Sequence, residues 1–214
     1  MINSVTFENE AGQVLRPYAD YGVLLVSYDA PEPEPKTYRV SLEGMNGDID
    51  MSDWAGAVYF NSRTVSMTLR DLGRSGWRAL VNFVHGRKIK ITFSDDAEWY
   101  FIGRCESIES ITRKRVTNTT LAFVCDPYRL AQNETVVTAT ATNTAQTKTL
   151  YTSRRRVVPE ITVTGTVTLV YDGNTYSLTA GTHKPPTFII DDTPREVSIT
   201  GSGTVSIKWR DGVL

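Results

Sequence analysis

Apolar and polar residues alternate with period two through most of this chain, and that is the pattern of strands with one wet and one dry face. Tyr38-Arg39-Val40-Ser41-Leu42 places an apolar group at every second position. Val65, Met67 and Leu69 alternate with Ser66, Thr68 and Arg70, and Ile89, Ile91 and Phe93 alternate with Lys88, Lys90 and Thr92. Trp99 and Phe101 fall on one face with Cys105, and Leu121 and Phe123 on one face with Cys125. These are expected strands of antiparallel sheets. Ser75 to Gly86 breaks the pattern, because Trp77, Leu80, Val81 and Val84 recur at the i, i+3, i+4, i+7 spacing of a helix face. The expected helix is 75–86, capped by Ser75, stopped by Gly86 and laid across a sheet on its Trp77 face.

From Gln132 to Thr149 the chain is rich in Thr, Ala and Asn, with only Val136 and Val137 as bulky aliphatic residues. Residues 132–152 are therefore expected to be a linker region with at most a weak strand. Alternation then returns: Ile161 and Val163; Val167, Leu169 and Tyr171; a hairpin turn at Asp172-Gly173-Asn174; Tyr176 and Leu178; Phe188 and Ile190; Val197 and Ile199; a turn at Gly201-Ser202-Gly203; and Val205, Ile207 and Trp209. Short strands at this spacing predict a sandwich or barrel. The expected fold is mainly β, with an N-terminal β-sandwich plus one α-helix over 1–131 and a smaller C-terminal β-sandwich over 153–214.

Composition narrows the function more than the fold. With 23 Lys+Arg against 24 Asp+Glu in 214 residues the charge is balanced, so the basic surplus of a nucleic-acid binder is missing. No apolar run approaches the ~20 residues that span a bilayer, and Met1-Ile2-Asn3-Ser4 has no signal-peptide pattern, so the chain is expected to stay in the compartment where it is made.

Candidate chemistry is sparse. His85 and His183 are the two histidines, there is no CxxC and no GxSxG, and no catalytic, cofactor or metal site is expected. His85 is placed in the last turn of the helix, where a cation suits the dipole. Cys105 and Cys125 are expected to be buried structural thiols, with a disulfide left open if their strands pair. Asp48, Asp50 and Asp53 after Gly47 loosely resemble a calcium loop but lack its sixth-position glycine and distal glutamate, so turn formation is favoured. Arg113-Lys114-Arg115 and Arg154-Arg155-Arg156 are expected at strand mouths as solvated or protein-contacting charge. Pro31-Glu32-Pro33-Glu34-Pro35 is a stiff acidic connector, either an arm between subunits or a plain surface loop.

Three ordered segments carry a family resemblance: Gly44-Met45-Asn46-Gly47-Asp48-Ile49-Asp50, then Tyr59-Phe60-Asn61-Ser62-Arg63-Thr64-Val65-Ser66-Met67, then Phe123-Val124-Cys125-Asp126-Pro127-Tyr128. With the helix near Trp77 between the second and third, they resemble the N-terminal domain of the distal tail protein family of long-tailed phages. Val205-Ser206-Ile207-Lys208-Trp209-Arg210 resembles that family's terminal strand. The sequence departs where Leu42-Glu43 stands in place of a proline, and in its short C-terminal part. Arg63 opens a strand and is expected at the sandwich rim, where its fork of donors ties loops or a neighbouring subunit.

The resemblance implies a non-enzymatic hub at the virion tail tip, made in the host bacterial cytoplasm. It implies a self-assembled ring, typically of six copies, that joins the tail tube protein to tail-tip, tape-measure or tail-associated proteins. It also implies a galectin-like C-terminal sandwich, with residues 1–131 forming the ring. No cofactor, specific nucleic acid or membrane insertion is implied. Two other readings fit the residues: another tail component such as a tube or terminator protein, and a carbohydrate-binding module using Trp54, Trp99 and Tyr100. A glycosidase is a remote third, since nothing singles out a pair of carboxylates.

Overall fold

The computed structural model describes residues 3–53, 56–71, 74–113 and 116–214, without the side chains of residues 71, 74, 75, 110–113, 116 and 117. The fold is mainly β, and it divides into two compact units, residues 1–129 with Leu214, and 130–213.

In the first unit the elements are β1 (Val5–Asn9), β2 (Val14–Leu15), α1 (Pro17–Tyr21), β3 (Leu24–Asp29), β4 (Arg39–Ser41), β5 (Asp48–Asp50), β6 (Arg63–Asp71), α2 (Arg74–Val84), β7 (Lys88–Phe93), β8 (Trp99–Arg113) and β9 (Val116–Cys125). One antiparallel sheet runs in the order β2-β1-β7-β8-β9-β6-β3. It folds over on itself. Four strand spacings separate β7 from β3, about 19 Å in a flat sheet, yet the Tyr28 ring of β3 stacks on Phe93 of β7 at 3.8 Å. The Tyr28 hydroxyl also donates to Asp95 at 2.8 Å. The sandwich of this unit is thus one coiled sheet. Its dry interior holds Phe7, Val65, Met67, Leu69, Ile89, Ile91, Leu121 and Phe123, all at most 1% exposed. These are the alternating positions, so the period-two pattern and the core coincide.

Helix α2 lies against β1, β6 and β8. It contributes Leu80 and Val84 to the core, while Trp77 and Val81 on the same face are half-buried. It runs 74–84 where 75–86 was expected, and Gly86 takes φ +68° just beyond it. The cap assigned to Ser75 concerns a side chain outside the described ones. Pro17 starts α1 and Gly22, at φ +69°, ends it. Gly76 lets α1 approach α2, because a Cβ there would stand 2.7 Å from the Tyr21 Cβ.

The second unit contains most of β10 (Arg129–Ala131), then β11 (Thr135–Ala141), β12 (Gln146–Leu150), β13 (Glu160–Val163), β14 (Thr166–Tyr171), β15 (Asn174–Leu178), β16 (Gly181–His183), β17 (Arg195–Trp209) and β18 (Gly212–Val213). Two layers share β17. Its first half pairs with β12 and β14, giving β12-β17-β14-β15, and its second half pairs with β11 and β13, giving β11-β17-β13-β16. Between them lie Ile161, Leu169, Phe188, Ile190, Val197, Ile199 and Ile207, all fully buried.

Three sequence expectations are corrected in this unit. Residues 132–152 are not a linker, since β11 and β12 form there as the edge strands of the two layers. An edge strand buries little, here Ala141 and Leu150, so its Thr- and Ala-rich composition imitates a connector. Gly201-Ser202-Gly203 is not a turn. At φ +127° and +122° the two glycines bend a continuous strand from one layer to the other. Phe188 and Ile190 belong to no strand, although both are buried. They follow Pro185-Pro186, which cannot donate to a ladder, and only an isolated bridge joins Ile190 to Val157. The expected hairpin turn does form, as Asp172 at φ +49° and Gly173 at φ +74° between β14 and β15.

Candidate assembly surface

Between β3 and β6 the chain leaves the first unit's sheet as an arm. At its root Asn61 N–H donates to Glu34 O at 2.8 Å and Lys36 N–H to Tyr59 O at 2.7 Å. Pro33 is buried, and the Phe60 ring meets Tyr128 edge-on at 6.0 Å. Farther out, Met51 N–H donates to Tyr38 O, and β4 pairs with β5 in a sheet of their own. Gly44 and Gly47, both at φ +83°, make the tip. Ser52 donates to the Asp50 carboxylate from both its N–H and its hydroxyl, and these bonds hold Asp50 below its ordinary pKa. Asp48 and Asp50 are the ends of β5, and Asp53 lies in the turn that follows.

The arm overturns one expectation. The alternation from Tyr38 to Leu42 predicts a strand with a dry face, but all residues from 41 to 50 are exposed and Val40 is only half-buried. The apolar side chains of Tyr38, Leu42, Met45, Ile49 and Met51 are all exposed, and among the described residues β4 and β5 pair only with each other. A two-stranded hairpin alone is marginal in water.

Arg63 braces the root of this arm. It is 4% exposed, and its Nη2 donates to Ala30 O at 2.7 Å and Nη1 to Pro127 O at 3.3 Å. The guanidinium lies 5.2 Å over the Phe101 ring and 3.7 Å from the exposed Glu32 carboxylate. Burial lowers its pKa, yet a guanidinium stays charged at any physiological pH. Arg129 beside it pairs with Asp96 at 2.9 Å. The small cleft they border, about 210 Å³, is lined by the Arg63–Glu32 and Arg129–Asp96 pairs together with Asp29. Burial first, and then the hydrogen bond to Asp95, push the Tyr28 phenol in that cleft up to about 12.

A second surface feature was not foreseen in the sequence. Arg87, Lys88 and Arg104 border a cleft of about 320 Å³ with Asn9, Glu10, Ala11 and Gly86. It continues past Lys88 to Ile102 and to Lys90, which pairs with Glu8 at 3.1 Å. The bases come from separate stretches of sequence and meet because Lys88 pairs with Arg104 in the β7–β8 register. Arg104 also donates to Gly86 O at 2.5 Å.

The remaining candidates are dispersed. His85 is exposed after α2, and the His183 ring contacts Thr179 O at 2.8 Å in the second unit. Cys105 and Cys125 are buried and unbridged. β8 and β9 do pair, but Cys105 stands opposite Phe123 and Cys125 opposite Gly103. Burial pushes their thiols up to about 11 and about 12. Lys114 and Arg115 lie outside the described residues, as does the Arg113 side chain, while exposed Arg154 pairs with Asp192 at 3.2 Å. Of the aromatic platform, Trp54 lies outside the described residues. Trp99 is half-buried and Tyr100 is buried, with the Lys90 ammonium 4.5 Å over its ring. Trp99 thus sits less deeply than Phe101 and Cys105, whose face it was expected to share. Among the described residues no group of His, Cys, Asp and Glu is arranged to hold a metal ion.

No protein-family model matches the sequence, and no curated protein sequence matches it. Solved structures do match. The Dit (gp 19.1) protein of phage SPP1, described as a paradigm of the hub adsorption apparatus in phages infecting Gram-positive bacteria, superposes with a TM-score of 0.69 at 14% identity, over 100% of both chains. A chain of the phage p2 baseplate, solved in its activated conformation with Sr, superposes with a TM-score of 0.51 at 8% identity, over 98% of both. From end to end, this chain has the fold of a phage tail hub protein.

Proposed function

We propose that this chain is a structural hub of a long phage tail. It forms a ring, typically of six copies, that joins the tail tube to tail-tip proteins, and it performs no catalysis. The observation that carries the reading is the full-length likeness to a hub protein, which spans both units rather than one common sandwich. The apolar arm supports it, since a marginal hairpin bearing exposed Tyr38, Met45 and Ile49 is suited to a protein that completes its packing on assembly. In this reading the first unit builds the ring and the second decorates it. The near-zero net charge limits self-repulsion between copies. Light scattering and negative-stain microscopy of the purified chain, alone and with tail partners, test the reading. Closed rings, alone or on tails, are expected. A strict monomer that also fails to join tails would overturn it.

A further inference from the structure

The arm and the cleft differ in charge as well as shape. From Pro31 to Tyr59 the arm carries Glu32, Glu34, Glu43, Asp48, Asp50 and Asp53 against Lys36 and Arg39, a surplus of four negative charges. The cleft presents Arg87, Lys88 and Arg104 against Glu10, with Lys90 and Glu8 neutralising each other. Ala11 and Ile102 add apolar surface to it. In the single chain the arm is not seated on its own cleft, since every residue from 41 to 50 is exposed. Strand register carries the level of Arg63, at the arm's root, through Cys125 and Gly103 to Ile89 and Asn9 at the cleft. The arm's root and the cleft therefore lie at one level along the strands of this sheet, several strands apart. A head-to-tail contact between two separate features of one chain repeats from copy to copy, and a closed ring is one way for it to end.

We propose that the acidic, apolar-tipped arm of one copy seats in the Arg87–Lys88–Arg104 cleft of the next copy. The proposal rests on the ring reading above and adds its interface. Apolar tip residues supply the buried surface, and the charge complementarity sets the register and favours this contact over arm against arm.

Charge reversal in two halves tests it. One variant carries Glu43→Lys and Asp48→Lys in the arm, the other Arg87→Glu and Lys88→Glu in the cleft. All four side chains are exposed, and circular dichroism checks that each variant folds. Self-association is read by light scattering of the full chain with tail partners present. Each variant alone is expected to associate at least ten-fold more weakly than the original chain. An equimolar mixture is expected to recover association, because copies of the two kinds can then alternate around an even-numbered ring. A photo-crosslinker at Ile49 is expected to label the cleft of a second copy. Rings that tolerate both reversals, a mixture that recovers nothing, or crosslinks elsewhere would overturn the interface and leave the ring reading standing. An original chain that neither self-associates nor joins tails would overturn both.

Discussion

Replacing Arg63 by methionine removes the guanidinium that braces the arm's root while keeping a long side chain in place. Two backbone acceptors then lose their donor, Ala30 O at 2.7 Å and Pro127 O at 3.3 Å. Hydrogen bonds from a charged donor are worth about 1.5–3 kcal/mol each, the longer one toward the lower end. The cation over Phe101 adds about 0.5–1 kcal/mol. The pair with Glu32 adds little, because that carboxylate is solvated. Against these stands the burial penalty of the guanidinium, whose Nε has no hydrogen-bond partner among the described residues. The net loss should be about 2 kcal/mol, confined to the first unit. With two units, a single unfolding curve would mix transitions, so amide hydrogen exchange is the assay. Val65, Met67 and Leu69 should lose roughly thirty-fold in protection, by the conversion of about 2 kcal/mol. Lys36 and Asn61 at the arm's root should lose protection too, while β14 and β17 stay unchanged. Arg63→Lys should recover only part, since a point charge cannot fork to both carbonyls. Unchanged protection in β6, or an equal loss in both units, would refute the bracing role.

Gly201→Ala should destabilise the second unit by about 2 kcal/mol or more, since the residue sits at φ +127° and a Cβ would stand against Thr166 O. Calorimetry should show that unit's transition lowered by roughly 10 °C, and an unchanged transition would refute the corner role of β17. Gly76→Ala should loosen α1 from α2, read as faster exchange at the Gly22 and Val23 amides with β9 unaffected. Cys105 and Cys125 should resist thiol reagents at pH 8 in the native protein and react on unfolding. Each thiol holds its proton more tightly when folded, so its stabilising contribution is complete below the unfolded value near 9.0. That contribution is lost as pH climbs toward about 11 and about 12. Urea titrations of the first unit should therefore give a lower midpoint at pH 10 than at pH 8.

What the sequence disclosed depended on whether a residue's neighbours were local. Val65, Ile89 and Leu121 alternate because each faces a continuous dry interior, and Leu80 and Val84 recur at helical spacing because they meet the same interior. Tyr38 to Leu42 alternates equally well and yet half-buries only Val40, because period two reports a two-sided strand and not the presence of a core. β11 and β12 went unseen for the opposite reason, as edge strands with little to bury. Gly201 and Gly203 carry the composition of a turn, and only their place between two sheets makes them a corner. The cleft is the clearest limit. Arg87 and Arg104 are 17 positions apart and meet only through strand register.

The proposed closure of this chain into a ring at the end of a tail can be observed in assembled tails. Cryo-electron microscopy of assembled tails carrying a tagged copy of the chain tests it most directly. Tag density is expected around a closed ring, with six-fold symmetry, between the tube's last ring and the tip. Tails that contain no copy of the chain, or carry it as isolated copies off the axis, would contradict it.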